Sequence, residues 1–273
     1  NTFEESGISS ISIPNTCTYI GPFAFYNTPN MASVSFGQAS ALSSIGNYAF
    51  ASATSLQSIT IPSTVNVLPP FCFKLCTNLK SVQFMNNGYY FTSIREGAFQ
   101  SSGLTSFHVS SNVETIDTLA FANCTELIEF NFNCFTGTIV SSNAFQGSAL
   151  TSIEVPTTCS FVPPASSSIT VTEQDCKPPT PSPTLAPVAV PTYTPTLAPT
   201  HGGPDAEGNV LIPEGTLKIS EYAFYNNTDV KTVTIPASIK TIGEYSFYGC
   251  INLKTITFED NASSQLISIG EHS

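Results

Sequence analysis

Short runs in which β-branched apolar residues alternate with Ser or Thr recur along this chain, as in Ser58-Ile59-Thr60-Ile61-Pro62 and Thr232-Val233-Thr234-Ile235-Pro236. Alternation with a period of two, closed by proline, predicts a brief β-strand with one buried face. Each run follows by about eight residues an Ala-Phe step or a close variant, with Phe at positions 25, 50, 73, 99, 121 and 145 and again at 224 and 247. Within each stretch these Phe are 22 to 26 residues apart. An aliphatic residue stands five places before every one of them: Ile20, Ile45, Leu68, Ile94, Ile116, Val140, Ile219 and Ile242. One strand per unit of this length predicts a solenoid. No segment keeps a 3.6-residue period for three turns, so the pattern does not predict helices.

Stacked strands lie about 4.8 Å apart, which brings each repeat Phe against those of the neighbouring units. Phe25, Phe50, Phe73, Phe99, Phe121, Phe145, Phe224 and Phe247 are therefore expected to form a continuous aromatic spine. Twenty Phe and no Trp fit a core made from one repeated shape. The unit is clearest in Ile242-Gly243-Glu244-Tyr245-Ser246-Phe247-Tyr248-Gly249-Cys250-Ile251-Asn252-Leu253-Lys254-Thr255-Ile256-Thr257-Phe258. It resembles the BspA-type subfamily of leucine-rich repeats, and the resemblance covers about nine-tenths of the chain. It implies a mainly β solenoid with short strands on the concave face and irregular or short helical turns on the convex face. It also implies a secreted or cell-surface protein of adhesion or binding, with no enzymatic activity and no cofactor.

The repeats fall into two arrays. Residues 1–177 form the first, whose last unit degenerates after Val155-Pro156 and closes on a capping strand at Ile169-Thr170-Val171. Residues 178–207 read as a Pro/Thr-rich extended linker, with Pro-Thr-Leu-Ala-Pro at 183–187 and again at 195–199. Such a composition cannot bury a core and favours polyproline II, about 3.1 Å per residue. Residues 208–273 form a second array, truncated within a repeat. Thr180, Ser182, Thr184, Thr192, Thr194, Thr196 and Thr200 are the candidates for O-glycosylation in the linker, which otherwise reads as a bare spacer.

Most of the eight Cys occupy repeat slots. Cys76, Cys124 and Cys250 follow the repeat Phe by three, and Cys17 and Cys159 fill the slot of Val65 and Ile239, which suits small buried hydrophobes. Cys159 and Cys176 bracket the degenerate last unit and are the expected disulfide, with Cys134 a competing partner. Three N-glycosylation sequons begin at Asn123, Asn226 and Asn261. Together with the linker they point to a secreted eukaryotic protein.

Charge removes whole classes of partner. Only 10% of residues are charged and the net charge is −11, while Ser and Thr make up about a quarter of the chain. There is no basic face for nucleic acid and no basic cluster for an anionic membrane surface. The uncharged segment 178–200 is too rich in proline to be a spanning helix, so no membrane insertion is expected.

If the strands stack in register, their outward residues form two columns. One holds Ser10, Ser33, Ser58, Ser81, Ser106, Glu129 and Ser152, and the other Ser12, Ser35, Thr60, Gln83, His108, Asn131 and Glu154. Ser10, Ser12, Ser33, Ser35, Ser58, Thr60, Ser81 and Gln83 offer evenly spaced polar groups to a glycan, a protein surface or ice, or simply allow strands to pack side by side. Glu129, Asn131 and Glu154, with His108, form a weak oxygen-donor set for Ca²⁺. Paired carboxylates also serve hydrolysis, but no pocket, nucleophile motif or second carboxylate shell accompanies them, so no catalytic residue is assigned. Exposed aromatics at Tyr26, Tyr225 and Tyr248, each just after a repeat Phe, and at Tyr89-Tyr90-Phe91 are a second candidate contact surface.

The ends complement one another. Ile269-Gly270-Glu271-His272-Ser273 is the first part of a repeat, and Asn1-Thr2-Phe3-Glu4-Glu5-Ser6-Gly7-Ile8 aligns with the part that begins at Phe99. Either the chain is a fragment of a longer tandem protein, or it self-associates head to tail into a surface fibre or matrix. A soluble recognition module binding a glycan or protein on the Ser/Thr face is the alternative to that structural and adhesive role.

Overall fold

The computed structural model describes residues 1–88, 90–110, 112–132, 137–164, 167–174, 203–259 and 264–271. It is a β-solenoid built from two rows of short parallel strands. The main row carries the alternating runs predicted above, including Ser10–Ile13, Ser33–Phe36, Ser58–Ile61, Thr232–Ile235 and Thr255–Phe258. Its inward residues are buried and its outward ones exposed or half-buried, the outcome that a period of two dictates. The second row consists of two- to four-residue strands such as Tyr19–Ile20, Ser44–Ile45 and Ser268–Glu271. It lines up the aliphatic residue five places before each Phe, so that Ile242, Ile269, Ile20 and Ile45 are successive partners. Among the described residues the only helix is the 3₁₀ turn Met85–Gly88.

Between the rows the repeat Phe form one stack. Phe224, Phe247, Phe3, Phe25, Phe50, Phe73, Phe99, Phe121 and Phe145 follow one another with ring centroids 5.1–5.5 Å apart and planes within 7–16°. The order of this stack is not the order of the sequence. Phe247 leads into Phe3, and the strand Thr255–Phe258 pairs with Ser10–Ile13, with Thr255 opposite Ser10. Residues 203–271 therefore stand ahead of residue 1 in the same solenoid.

The Phe turns show how backbone chemistry makes such a stack. Residues two before and two after the repeat Phe take the left-handed conformation: Phe23, Tyr48, Phe71 and Tyr245 at φ 53–58°, and Asn27, Ser52, Asn123 and Asn226 at φ 52–61°. With a left-handed residue at each end of the five-residue turn, alternate amides point along the stack. Tyr48, Phe50 and Ser52 thus donate to the carbonyls of Pro70, Cys72 and Lys74 on the next turn, at 3.1, 3.0 and 2.7 Å. The amides between them, of Ala49 and Ala51, close back on Gly46 and Tyr48. Each side chain held at positive φ costs about 1–2 kcal/mol, offset by three inter-turn bonds per turn of about 1 kcal/mol each. At Gly97, one of these positions, a Cβ would lie 2.4 Å from the Phe71 ring, so glycine lets that ring cover the turn.

The junction uses the same bonds. Phe247 and Gly249 donate to Thr2 and Glu4, both at 2.9 Å, while Gly7 and Gly21 donate back to Cys250 and Ile269. Residues 208–271 and the array that starts at residue 1 thereby join in one stack, each supplying the half-turn the other lacks. The complementary ends likewise meet within one chain. The linker segment 178–202 lies outside the described residues. Where it resumes, the Asp205 carboxylate accepts the amides of Glu207 and Asn209 and the Asn209 side-chain amide, closing a turn against the outermost strand. Those bonds hold the Asp205 carboxyl below its ordinary range. At the opposite end the strand Thr170–Gln174 pairs along the whole of Ser152–Pro156 and caps the stack.

Candidate binding face

The exposed side of the main strands is the site the sequence singles out. Ser10 stands opposite Ser33 and Ser12 opposite Ser35; Ser58 stands opposite Ser81 and Thr60 opposite Gln83. The junction extends the columns in the other direction. Asn209, Thr232 and Thr255 precede Ser10, and Leu211, Thr234 and Thr257 precede Ser12. Adjacent strands place the groups of one column about 4.8 Å apart. From Asn209 to Gln83 neither column carries a charged side chain. The extension could not be read from the sequence, since it needs residues 232–257 beside residue 10.

The ladder is interrupted twice, between Ser33–Phe36 and Ser58–Ile61 and between Ser81–Phe84 and Ser106–His108. The two interruptions fall after the strands of the repeats Phe25 to Phe50 and Phe73 to Phe99. The 3₁₀ turn Met85–Gly88 follows the strand at the second, and at both interruptions the strands on either side stay packed alongside one another.

At the acidic end, Asn131 pairs with Glu154 on one side and His108 on the other, as the columns predict. Its Nδ2 donates to Glu129 Oε1 at 2.6 Å and to His108 Nε2 at 3.2 Å. The amide thus turns its N–H groups, not its oxygen, toward the carboxylate and the imidazole. Among the described residues no three His, Cys, Asp or Glu converge on a metal-sized site. Glu129 and His108 are thus tied together through Asn131, with Glu154 on the adjacent strand.

The cysteine slots are explained by backbone bonding. The thiols of Cys76, Cys124 and Cys250 donate to the carbonyls of Phe50, Phe99 and Phe224 on the preceding turn, at 3.1, 3.1 and 3.0 Å. Cys17 and Cys72 are also buried. Cys159, half-buried, is a free thiol that donates to Thr138 at 3.2 Å. Cys176 and Cys134 lie outside the described residues. Burial pushes Cys17, Cys76 and Cys250 up to about 12 and Cys124 up to about 11. At pH 8 their thiolate fraction is on the order of one in a thousand to one in ten thousand. Iodoacetamide applied to the folded chain at pH 8 should therefore leave these four unmodified by mass spectrometry, whereas urea should expose all of them; rapid labelling without urea would contradict the packing.

Of the sequons, Asn123 and Asn226 lie exposed on the Phe turns, and Asn261 lies outside the described residues, as do the O-glycosylation candidates from Thr180 to Thr200. Both asparagines hold the left-handed position two after the Phe, where Asn27, Gly147 and Gly249 stand in other turns. That backbone requirement is by itself a reason for asparagine there.

Tyrosines of the second array, Tyr222 and Tyr225 exposed and Tyr245 and Tyr248 half-buried, form a second surface. Tyr222, Tyr225, Tyr245 and Tyr248 make a square of rings, with stacked sides of 5.0 Å. Phe23, Tyr48 and Phe71 continue the column two before the Phe at 4.9 and 4.8 Å, and Lys74 Nζ lies 5.1 Å from the Phe71 ring centroid. That column was legible as a recurrent aromatic before Ala-Phe and was missed. In the 89–91 insertion Phe91 is buried and Tyr90 is 63% exposed, while Tyr89 lies outside the described residues. A cleft of about 250 Å³ between the last Phe turn and the cap is lined by Ser142, Phe145, Gln146, Ser148, Ser167 and Ile169. No described helix is long and apolar enough to cross a membrane.

Short parallel strands in two rows around a stack of identical side chains define a leucine-rich-repeat solenoid. The chain belongs to the BspA type leucine rich repeat family, whose model matches six times over residues 1–128, 92–168 and 208–273. Among solved structures it is similar to a leucine-rich repeat protein from Bacteroides ovatus, with 19% identity over 96% of this chain and 71% of that one and a TM-score of 0.49. It is also similar to a leucine rich cell surface protein from Faecalibacterium prausnitzii, with 20% identity over 94% and 82% and a TM-score of 0.39. The pneumococcal vaccine antigen PcpA is a third, with 17% identity over 91% and 50% and a TM-score of 0.35. No curated protein matches the chain.

Proposed function

We propose that this chain is a non-enzymatic recognition protein of the cell exterior, and that it binds a neutral glycan along the hydroxyl-lined side of its main strands. The observation that carries this reading is the pair of columns from Asn209 to Gln83, fourteen outward positions without a charge. Side-chain hydroxyls both donate and accept, so such a row can trade hydrogen bonds with a hydroxyl-rich polymer without desolvating charge. The net charge of −11 disfavours acidic polymers for the same site. Exposure of the cell exterior type is supported by membership of the BspA-type family and by the sequons at Asn123 and Asn226. The role as a fibre or matrix subunit rested on half-repeats open at the two ends, and the pairing of those halves in one chain takes that support away.

The test is retention of the chain on immobilised neutral polysaccharides. Replacing Ser58, Thr60 and Ser81 together by Tyr should reduce retention at least tenfold while leaving the melting temperature within a few degrees. Unchanged retention by the triple variant, or retention only on protein-coated surfaces, would count against the glycan reading.

A further inference from the structure

We infer that the junction between residues 203–271 and residues 1–25 can also close between two copies of this chain, and that the length of the connection from 175 to 208 is what keeps it within one. The inference is independent of the binding face. In the folded chain the strand Thr170–Gln174 lies at one end of the stack and Asn209–Leu211 at the other, with eleven main strands among the described residues. Ten intervals of about 4.8 Å separate them, roughly 48 Å. Thirty-five residue steps connect them, enough for about 100 Å at the polyproline II rise. Closure within one chain is therefore reachable, and a tether long enough to span the stack favours it with an effective concentration on the order of millimolar.

Nothing in the junction itself distinguishes one chain from two. It consists of strand pairing at Ser10 and Thr255 and at Tyr19 and Ser268, the Phe247 and Phe3 stack, and the turn bonds to Thr2 and Glu4. These are the kinds of contact that join neighbouring turns elsewhere in the stack, and a second copy offers them unchanged. Exchange of an identical element is the low-cost route to a dimer, and a connection too short for its span enforces it.

Deletion of residues 178–202 leaves ten steps between Gln174 and Asn209, at most about 36 Å. By light scattering after gel filtration, the full chain at micromolar concentration should be a monomer. The deletion variant should have at least twice the monomer mass, with unchanged β-sheet circular dichroism. Phe3→Asp in the deletion background should return it to monomer, with residues 203–271 losing protection from amide exchange. Should the deletion variant not be recovered folded, the full chain refolded from urea at high concentration supplies the same readout: a dimer fraction that grows with concentration and that Phe3→Asp abolishes. A monomeric deletion variant, or refolding that yields only monomer at every concentration, would overturn the inference.

Discussion

Phe73→Ala should lower the unfolding free energy by about 3–5 kcal/mol. The ring is fully buried and lies between Phe50 and Phe99, each 5.5 Å away. Truncation loses the transfer free energy of the ring, leaves a cavity that the neighbouring turns cannot fill, and ends two ring contacts of about 0.5–1.5 kcal/mol each. Collapse is blocked because the spacing of the turns is set by strand pairing on one side and by the bonds of Cys72 and Lys74 carbonyls on the other. Urea titration followed by circular dichroism measures the change, with Phe73→Leu expected to cost less than half as much. A shift below about 1 kcal/mol would mean that the rings are not held as a stack.

The second large effect is at Gly7. A Cβ there would lie 2.0 Å from the carbonyl oxygen of Ile251, a backbone atom that is itself fixed by the pairing of Thr255 with its neighbours. Neither side can yield cheaply, so Gly7→Ala should cost about 3 kcal/mol, the upper part of the range for overpacking. The loss should also have a location. In a solenoid each turn touches only its neighbours, so a strained junction uncouples 203–271 from the rest. Hydrogen exchange should show faster opening there while residues 33–140 keep their protection. Uniform loss of protection along the chain would contradict that picture. The matching change at Gly103, whose Cβ would meet the Thr77 carbonyl at 2.0 Å, lies within the first array and should weaken the middle of the stack instead.

What the sequence displayed and what it hid divide along a physical line. Periodicities carried by side chains were legible. Alternation at Ser58–Ile61 gave the strand, the 22 to 26 residue spacing gave the stack, and the outward columns fell into the register observed between Ser10 and Ser33 or Glu129 and Ser106. Requirements carried by the backbone were not. The positive φ of Tyr48 or Ser52 leaves no mark in residue type, and at Asn123 and Asn226 it leaves a mark that coincides with a sequon. The largest miss concerned connectivity. Local patterns specify that Phe3 needs a partner on the Ile269 side, but they are silent on which chain supplies it. In the fold that partner comes through the pairing of Tyr19 with Ser268, a contact between positions 249 residues apart that no local pattern encodes.

The account stands on residues 203–271 being stacked ahead of residue 1 in the same chain. Ser10 and Thr255 are direct partners across that junction, both outward and exposed, so a double variant with cysteine at both positions tests it most directly. Mild oxidation of the purified variant at micromolar concentration should give a disulfide within one chain. It should be seen as a monomer of unchanged mass on a non-reducing gel, with the peptides bearing positions 10 and 255 joined in the digest. Free thiols at both positions after oxidation, or a bond formed only between chains, would contradict it.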